Sequence, residues 1–299
     1  MNNEAASPQS PIVDASRIDE IARNVFVIPD NRIPLVPNVG IVAGDHSVLV
    51  VDAGLGLANG EAVFDAAKRI AGDRRIILTV THFHPEHGFG AQAFKGKAKI
   101  LYNRMQKDDL DSKGAAYMDM FLGFGDAVKA TLKDTEIVAP DQTYEGPRHT
   151  LDLGGITVEL LTFGLAHTGG DQVVWLPEQE VLFTGDLAES NIFPIFPWFP
   201  PKDADVDARN WADVLKTLAD MGPKIVVPGH GDVGDVEIIK GVRDYMVDLE
   251  ARVRSRQNEG KDIDAIISEL RPQLLGEHPT WTGTEWIDYA VRYYVSTQA

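Results

Sequence analysis

Short apolar runs separated by polar stretches rich in glycine and proline recur along the chain, and this pattern predicts a mixed α/β protein. Runs rich in valine, isoleucine and leucine predict strands at 24–28, 39–43, 47–51, 76–80, 98–102, 135–138, 141–144, 156–161, 173–176, 181–183 and 224–227. Longer stretches with apolar residues at helical spacing predict helices at 59–70, 207–218 and 233–257. We therefore expect two halves that each combine strands with helices.

The length of 299 residues suits one large domain with additions. We expect a flexible polar lead-in over residues 1–20, a main domain over 21–235 and a C-terminal helical extension over 236–299 packed on the same domain. We expect residues 103–134, which include several Met and Phe residues, to form a helical insertion or lid. The aromatic residues of the extension predict packing, with docking or a dimer contact as the alternative.

A cluster of histidines directly follows the predicted strand 76–80. The run contains His82, His84, Glu86 and His87, and it holds three of the eight histidines of the chain. Imidazole and carboxylate groups are the usual ligands of zinc and similar divalent metals. His82 and His84 are two residues apart, so in extended backbone they project to the same side. The run therefore predicts a metal site at the carboxyl end of a buried strand.

Three later residues stand in the same kind of context. His167 lies in a glycine-rich loop, Asp186 ends the strand 181–183, and His230 follows the last predicted strand. Each has a glycine nearby, and glycine lets the backbone turn tightly and approach a metal closely. Either histidine alone would be interpreted as an ordinary loop residue. As a set, these residues predict the remaining ligands of the metal site.

The order of these residues resembles the pattern of the metallo-β-lactamase-fold superfamily: an HxHxDH run, then a distant His, an Asp and a final His. The resemblance covers residues 24–230. It implies a four-layer αββα sandwich with a dinuclear metal site at one edge of the two sheets, to which the residue pattern adds the helical insertion and the extra C-terminal helices. It also implies the ligand sets: His82, His84 and His167 for one metal, residue 86, His87 and His230 for the other, with Asp186 as the bridge.

Glu86 departs from the family pattern, which has Asp at this position. Glutamate is one methylene longer, and a misplacement of about 1 Å can reduce a rate about a hundredfold. Either the loop has adjusted, or the second metal is weak or displaced, or Glu86 acts as a base without binding metal. Asp52, at the end of a predicted strand, resembles the buried aspartate beneath the family's metal site. Together with Thr81, it is expected to orient the ligands.

An apolar loop follows Asp186, and its aromatic residues Phe193, Phe196 and Trp198 predict a substrate wall. The alternative is a packed loop that covers the edge of the sheet. Many β-lactamases of the fold place a cationic residue shortly after this strand to bind the substrate carboxylate, whereas this chain has Glu189. The difference favours a neutral, apolar substrate over a β-lactam.

The amino-acid composition of the chain argues against some classes of binding partner. The net charge of −17 argues against nucleic acid and against docking on a membrane through basic residues, since both are bound by Lys and Arg. The sequence contains no transmembrane-length apolar run and no cysteine. The first residues lack the features of a signal peptide, so we expect a cytoplasmic protein, or a secreted one if a leader was removed. A small-molecule substrate is expected, and a dimer is one alternative for the oligomeric state.

The resemblance and the ligands together predict a metal-dependent hydrolase with Glu86 and Asp186 as catalytic residues. Two Zn²⁺ ions per chain are expected, with one zinc or iron as alternatives. Zinc lowers the pKa of bound water to near 7, so the hydroxide can attack a small ester, lactone or amide, with a β-lactam less favoured. The alternatives are an oxidoreductase with one iron, like the persulfide dioxygenases of this fold, and a non-catalytic metal-binding member.

Overall fold

The computed structural model describes residues 9–297 and has two β-sheets and several helices in that range. The chain divides into two compact units. The N-terminal unit runs to Tyr144 and includes Asp152–Ile156, and the C-terminal unit contains Glu145–Leu151 and the chain from Thr157 onward. No helix within 9–297 is both long enough and apolar enough to cross a membrane.

The sheet of the N-terminal unit has seven strands, paired in chain order. They are β1 (Asp19–Ala22), β2 (Val25–Ile28), β3 (Val39–Ala43), β4 (Ser47–Val51), β5 (Arg75–Thr79), β6 (Lys99–Asn103) and β7 (Gln142–Tyr144). The first four strands pair antiparallel, and β4 to β7 pair parallel. Because β4 and β5 are parallel neighbours, their carboxyl ends lie side by side, at the edge where α/β sheets place their ligands.

Helices connect and cover these strands. They are α1 (Gly56–Ala71), α2 (Pro85–Gly88), a 3₁₀ helix (Phe89–Phe94), α3 (Arg104–Leu122) and α4 (Asp126–Thr131). The predicted insertion over 103–134 is helical, since α3 and α4 occupy most of it. The buried face of α1 packs with the strands in one apolar core, to which Val63 and Ala67 contribute.

Helix α1 also packs very closely on the 3₁₀ helix that follows the histidine run. A Cβ atom at Gly60 would lie 2.0 Å from the carbonyl oxygen of Gly90, and one at Gly90 would lie 2.1 Å from the carbonyl oxygen of Ala53. Such distances exclude any side chain, so the two backbones can meet only through glycine. The Gly90 N–H also donates to the carbonyl of Gly54 at 2.8 Å.

The first described residues are attached to α1 through the buried side chain of Asn59. Its amide nitrogen donates to the carbonyl of Pro11 at 2.7 Å, and its oxygen accepts from the N–H of Val13 at 2.9 Å. Val13 is buried in the core of the N-terminal unit. The expected flexible lead-in over residues 1–20 therefore does not hold from Pro11 onward, and residues 1–8 lie outside the described residues.

The sheet of the C-terminal unit has five strands in the order β12-β11-β10-β9-β8. They are β8 (Arg148–Asp152), β9 (Thr157–Thr162), β10 (Gln172–Leu176), β11 (Val181–Gly185) and β12 (Ile225–Pro228). Strands β9, β10 and β11 form an antiparallel meander, and β12 joins β11 in parallel after helix α5 (Ala208–Asp220). Because β11 and β12 are parallel neighbours, their carboxyl ends also lie side by side.

Three helices complete the C-terminal unit, as the extension over 236–299 predicts. They are α6 (Val236–Asn258), α7 (Ile263–Glu277) and α8 (Trp286–Ser296). Their apolar faces, with residues such as Leu249, Leu270 and Val291, join α5 in a second core. Most aromatic residues of the extension pack in this unit, where Tyr293 and Tyr294 are nearly fully buried.

The strand predicted over 135–138 does not form, although Val138 contributes to the apolar core. Two strands, β1 and β8, were not predicted, because neither carries a continuous apolar run and their residues are exposed or half-buried. The predicted strand 141–144 forms β7, which pairs with β6 in the first sheet.

Candidate metal centre

The histidine run lies where β5 ends, in a loop that leads into the short helix α2. Pro85 occupies the first turn of α2, where a missing N–H costs nothing, and it turns the chain after His84. The four candidate ligands of this run are all buried: His82, His84, Glu86 and His87. The ring centroid of His82 lies 4.5 Å from that of His84 and 4.3 Å from that of His87. Charged imidazolium rings would repel one another at this distance, whereas neutral rings can share a cation.

Asp52, at the end of β4, holds this loop in place. Its backbone has a φ of 68°, a left-handed conformation that is uncommon outside glycine. Its carboxylate accepts from the Thr81 N–H at 2.7 Å and from the Thr81 hydroxyl at 3.0 Å, and it lies 2.9 Å from Nδ1 of His87. Because a carboxylate only accepts, Nδ1 of His87 carries a proton, and in the neutral ring Nε2 then carries none. Burial, and secondarily Asp52, raises the pKa of the Tyr102 phenol, which stays neutral.

The C-terminal unit supplies the other three candidate ligands, each from a loop after a strand. His167 follows β9, Asp186 follows β11 and His230 follows β12. Nδ1 of His167 donates to the carbonyl of Ile195 at 3.0 Å, so its Nε2 is the unprotonated nitrogen. One carboxylate oxygen of Asp186 lies 4.0 Å from Nε2 of His167, and the other lies 3.7 Å from Nε2 of His230. The two oxygens of this carboxylate thus face different histidines.

Close backbone packing fixes Asp186. A Cβ atom at Gly229 would lie 1.9 Å from its Oδ1 and 2.8 Å from the carbonyl carbon of Gly185. Glycine at 229 is therefore the condition for this carboxylate position. The neighbouring loop is linked as well, because the N–H of Ser190 donates to the carbonyl of His230 at 2.9 Å.

Within residues 9–297, two groups of four buried side chains could each hold a metal ion. One group is His82, His84, His167 and Asp186, and the other is Glu86, His87, Asp186 and His230. In each group, one ligand atom from every residue lies within 4.8 Å of the others. All seven residues expected from the sequence belong to these groups, and Asp186 belongs to both. Imidazole and carboxylate donors fit zinc and similar divalent metals.

The expected substrate wall is placed differently. Phe193 and Phe196 have no exposed surface and lie in the core of the C-terminal unit, whereas Trp198 is half-buried. Phe196 packs on Trp211, with ring centroids 5.3 Å apart. The structure therefore favours the packed-loop alternative for these two phenylalanines, since a side chain without exposed surface offers nothing to a substrate. Glu189 is buried and accepts from the N–H of Ile195 at 3.4 Å.

Sequence reasoning missed several residues that contact the candidate ligands or their loops. Asp171 accepts from the N–H of Thr168 at 2.8 Å and from its hydroxyl at 2.6 Å, which fixes the loop of His167. On α3, Gln106 donates to the carbonyl of Thr81, directly before the histidine run, and Tyr117 stacks on His84. Only Gln106 had a visible signal, because an Asn followed three residues later by Gln is typical of a helix capping box.

A protein-family model described as the metallo-β-lactamase superfamily matches residues 32–230. The chain belongs to the metallo-β-lactamase superfamily. Its two sheets and several helices are consistent with the sandwich fold of that family, as the resemblance implied, and with the extra C-terminal helices that the sequence pattern predicted.

Individual relatives are more distant. The chain is 34% identical over 93 residues to a metallo-β-lactamase type 2 of Bacteroides fragilis, a match that covers 30% of this chain and 36% of that protein. It is 20% identical over 275 residues to a linear primary-alkylsulfatase of Pseudomonas sp., covering 80% of this chain and 51% of the relative. The chain thus spans about half the alkylsulfatase and about a third of the β-lactamase.

Among solved structures, the chain is similar to a stereoselective inverting sec-alkylsulfatase, Pisa1, of Pseudomonas sp. The TM-score is 0.68 at 18% identity, and the match covers 93% of this chain and 49% of that one. At this identity the likeness concerns the fold.

Proposed function

We propose that this protein is a hydrolase that uses two zinc ions to cleave a small ester, lactone or amide. The observation that supports the proposal most directly is the pair of ligand groups that share Asp186. His82, His84, His167 and Asp186 would hold one ion, and Glu86, His87, Asp186 and His230 the other. When bound, zinc supplies Lewis acidity and a water of lowered pKa.

The residues around the ligands prepare the site for cations. Nδ1–H of His87 donates a hydrogen bond to Asp52, and Nδ1–H of His167 donates one to the carbonyl of Ile195. Nε2 of each ring can therefore face a metal. The buried carboxylates of Glu86 and Asp186 are costly to desolvate alone, and a divalent cation offsets that cost. The chain's own contribution is therefore a set of oriented neutral imidazoles and two anionic acceptors.

Glu86 stands where the family's HxHxDH run has aspartate, and we propose that it is nonetheless a metal ligand. Its support is that a carboxylate oxygen of Glu86 belongs to the second group, within 4.8 Å of the ligand atoms of His87, Asp186 and His230. The short helix α2 carries Glu86 and His87 together. In this account the loop has adjusted to the longer side chain, and the second metal is retained.

The substrate is proposed to be neutral. Glu189 is buried three residues after Asp186, where many β-lactamases carry a cation, and the net charge of −17 adds to the repulsion of anions. A second candidate is an alkyl sulfate ester, because the likeness to alkylsulfatases extends over 80% of this chain in sequence and 93% in structure. Nucleic acid and membranes are not expected as partners.

Metal content tests the first part of the proposal. Protein purified without added metal should contain about two zinc ions per chain by elemental mass spectrometry. His84→Ala should lower that number, whereas His46→Ala, at an exposed turn residue outside both groups, should leave it unchanged. About one iron per chain would contradict the zinc hydrolase and favour the oxidoreductase alternative.

A matched pair of substrates tests the second part. Hexyl acetate and hexyl sulfate share the alkyl chain and differ in the charge of the head group. Faster hydrolysis of the acetate, lost on chelation and restored by zinc, is expected. Faster cleavage of the sulfate would replace the neutral-ester proposal with the sulfatase candidate. Cleavage of neither by zinc-loaded protein would contradict the simple ester and the sulfate ester alike and leave only a lactone or an amide.

A further inference from the structure

Helix α3, which the sequence predicts as part of an insertion or lid, is bonded to the loop that carries the histidine run. It begins with a capping box: the side chain of Asn103 accepts from the Gln106 N–H at 2.8 Å, and Oε1 of Gln106 accepts from the Asn103 N–H at 3.0 Å. The cap uses only the oxygen of the Gln106 amide. Its NH₂ group is left for other acceptors, and Gln106 is fully buried.

That NH₂ group donates to the two residues that precede the first histidine. Nε2 of Gln106 lies 2.6 Å from the carbonyl of Val80 and 3.0 Å from the carbonyl of Thr81. These carbonyls belong to the peptide groups on either side of Thr81, whose hydroxyl lies 3.1 Å from Nδ1 of His82. Gln106 thus fixes the backbone from which His82 projects.

Further along α3, Tyr117 contacts the second histidine. Its ring stacks on the ring of His84, with centroids 5.0 Å apart and planes inclined by 23°, and it also meets Phe83 edge to face at 4.9 Å. Tyr117 is 5% exposed, so the contact is part of the packed interior. The His84 ring also meets the rings of His82 at 4.5 Å and Phe83 at 4.9 Å, both edge to face. These neighbouring rings together fix the plane of the His84 ring.

We infer that α3 is a fixed support of the metal centre and not a lid, with Gln106 as a positioning residue for His82 and Tyr117 as a positioning residue for His84. The inference rests on the proposed function in one respect: it assumes that the histidine run binds metal. Residues that orient metal ligands typically change metal affinity about 10- to 100-fold when they are replaced.

The variant Gln106→Glu isolates the contact. Glutamate keeps the size and the oxygen that completes the cap, but it replaces the NH₂ donor with an oxygen that faces two carbonyls. Gln92→Glu is the matched control, because Gln92 also donates through Nε2, to Asp134, and accepts through Oε1, from Glu136. Gln92 belongs to neither ligand group.

Zinc affinity is measured by competition with a chromophoric chelator, and Co²⁺ loading adds the visible absorption spectrum, which reports ligand geometry. Gln106→Glu should weaken zinc binding about 10- to 100-fold and alter the cobalt spectrum. Gln92→Glu should match the wild type within about twofold, although its metal-free form can lose thermal stability. Equal zinc affinity in wild type and Gln106→Glu would overturn the inference and leave the proposed function standing, whereas a wild type that binds no zinc would overturn both.

A second pair of variants covers the case in which Gln106→Glu does not fold. Tyr117→Phe keeps the stacked ring and should retain zinc affinity and the cobalt spectrum of the wild type. Tyr117→Leu removes the ring, and it should weaken zinc binding about tenfold. Identical affinity and spectra for both Tyr117 variants would contradict the role of α3 as a support.

Discussion

The two sets of candidate ligands are built in different ways. In the N-terminal unit, four ligands come from the single run 82–87, directly after one strand. In the C-terminal unit, three ligands come from three loops that follow β9, β11 and β12. Side chains from elsewhere, such as Asp52 and Gln106, support the first set. Backbone groups, such as the carbonyl of Ile195 and the bare Cα of Gly229, support the second together with the Asp171 side chain.

This difference predicts which kind of substitution should disrupt each set of ligands. A run of adjacent ligands keeps much of its geometry through the backbone alone, so the loss of one supporting side chain should weaken it by degrees. Ligands from separate loops depend on how closely the loops approach one another. One added atom at a close approach, as at Gly229, should therefore disrupt the second set more than the loss of a hydrogen bond disrupts the first.

The largest effect is expected from Gly229→Ala. The new Cβ would lie 1.9 Å from Oδ1 of Asp186, so this carboxylate, which belongs to both ligand groups, must move. A displacement of about 1 Å at a reacting centre can reduce a rate about a hundredfold, and overpacking costs about 1–3 kcal/mol of stability. Hydrolysis rate, zinc content and thermal unfolding measure these effects.

Gly241→Ala is the control, because this glycine lies in α6, where a Cβ atom would have no neighbouring atom within 4 Å outside the helix's own backbone. The substitution should leave zinc binding unchanged and raise stability by up to about 1 kcal/mol. Full zinc occupancy and wild-type rate in Gly229→Ala would show that the second set is not fixed by this contact.

An intermediate effect is expected from Asp52→Asn. If the asparagine oxygen keeps the bond to the Thr81 N–H, its NH₂ group faces Nδ1 of His87 and favours the tautomer with the proton on Nε2. That nitrogen can no longer bind a metal without losing its proton, so zinc affinity should fall about 10- to 100-fold. Calorimetric titration of metal-free protein with zinc measures the change, and the exposed Asp73→Asn serves as the control. Unchanged affinity in Asp52→Asn would mean that the backbone alone positions the first set.

The smallest effect concerns His278, which lies outside both ligand groups. Burial beside Trp281, whose ring centroid is 4.2 Å away, lowers the pKa of His278 below its ordinary value of 6.5. The unfolded chain therefore binds this proton more readily, and stability should fall as the pH decreases through 6.5. Between about pH 7.5 and about pH 5.5, the melting temperature of His278→Gln should therefore fall less than that of the wild type. Equal losses in wild type and His278→Gln would contradict the assignment.

Sequence alone predicted the strands that carry the ligands, because each contains a short run of apolar residues and the ligand lies in the loop that follows the strand. The helices of the C-terminal extension were predictable from apolar residues that recur at helical spacing. Strand β8 was not predicted, since an edge strand with exposed polar residues has no continuous apolar run. Phe193 and Phe196 could not be separated from a substrate wall, because an apolar loop has the same composition whether it faces a substrate or a core.

The supporting residues were the hardest to predict. The capping box at Asn103 and Gln106 is visible in the sequence, but the direction of the remaining NH₂ group depends on which loop folds against it. The glycine at 229 is equally visible, while the need for it comes from an atom of Asp186 in a distant part of the chain. Long-range packing of this kind leaves no local pattern.

The contact between Gly60 and Gly90 limits how the chain can diverge. Neither position has room for a methyl group. A lineage that acquired a side chain at Gly60 would have to move α1 away from the segment that follows the histidines, and one that acquired a side chain at Gly90 would have to move that segment away from the carbonyls of Ala53 and Gly54. In related sequences, both glycines should therefore be retained wherever this close packing is retained.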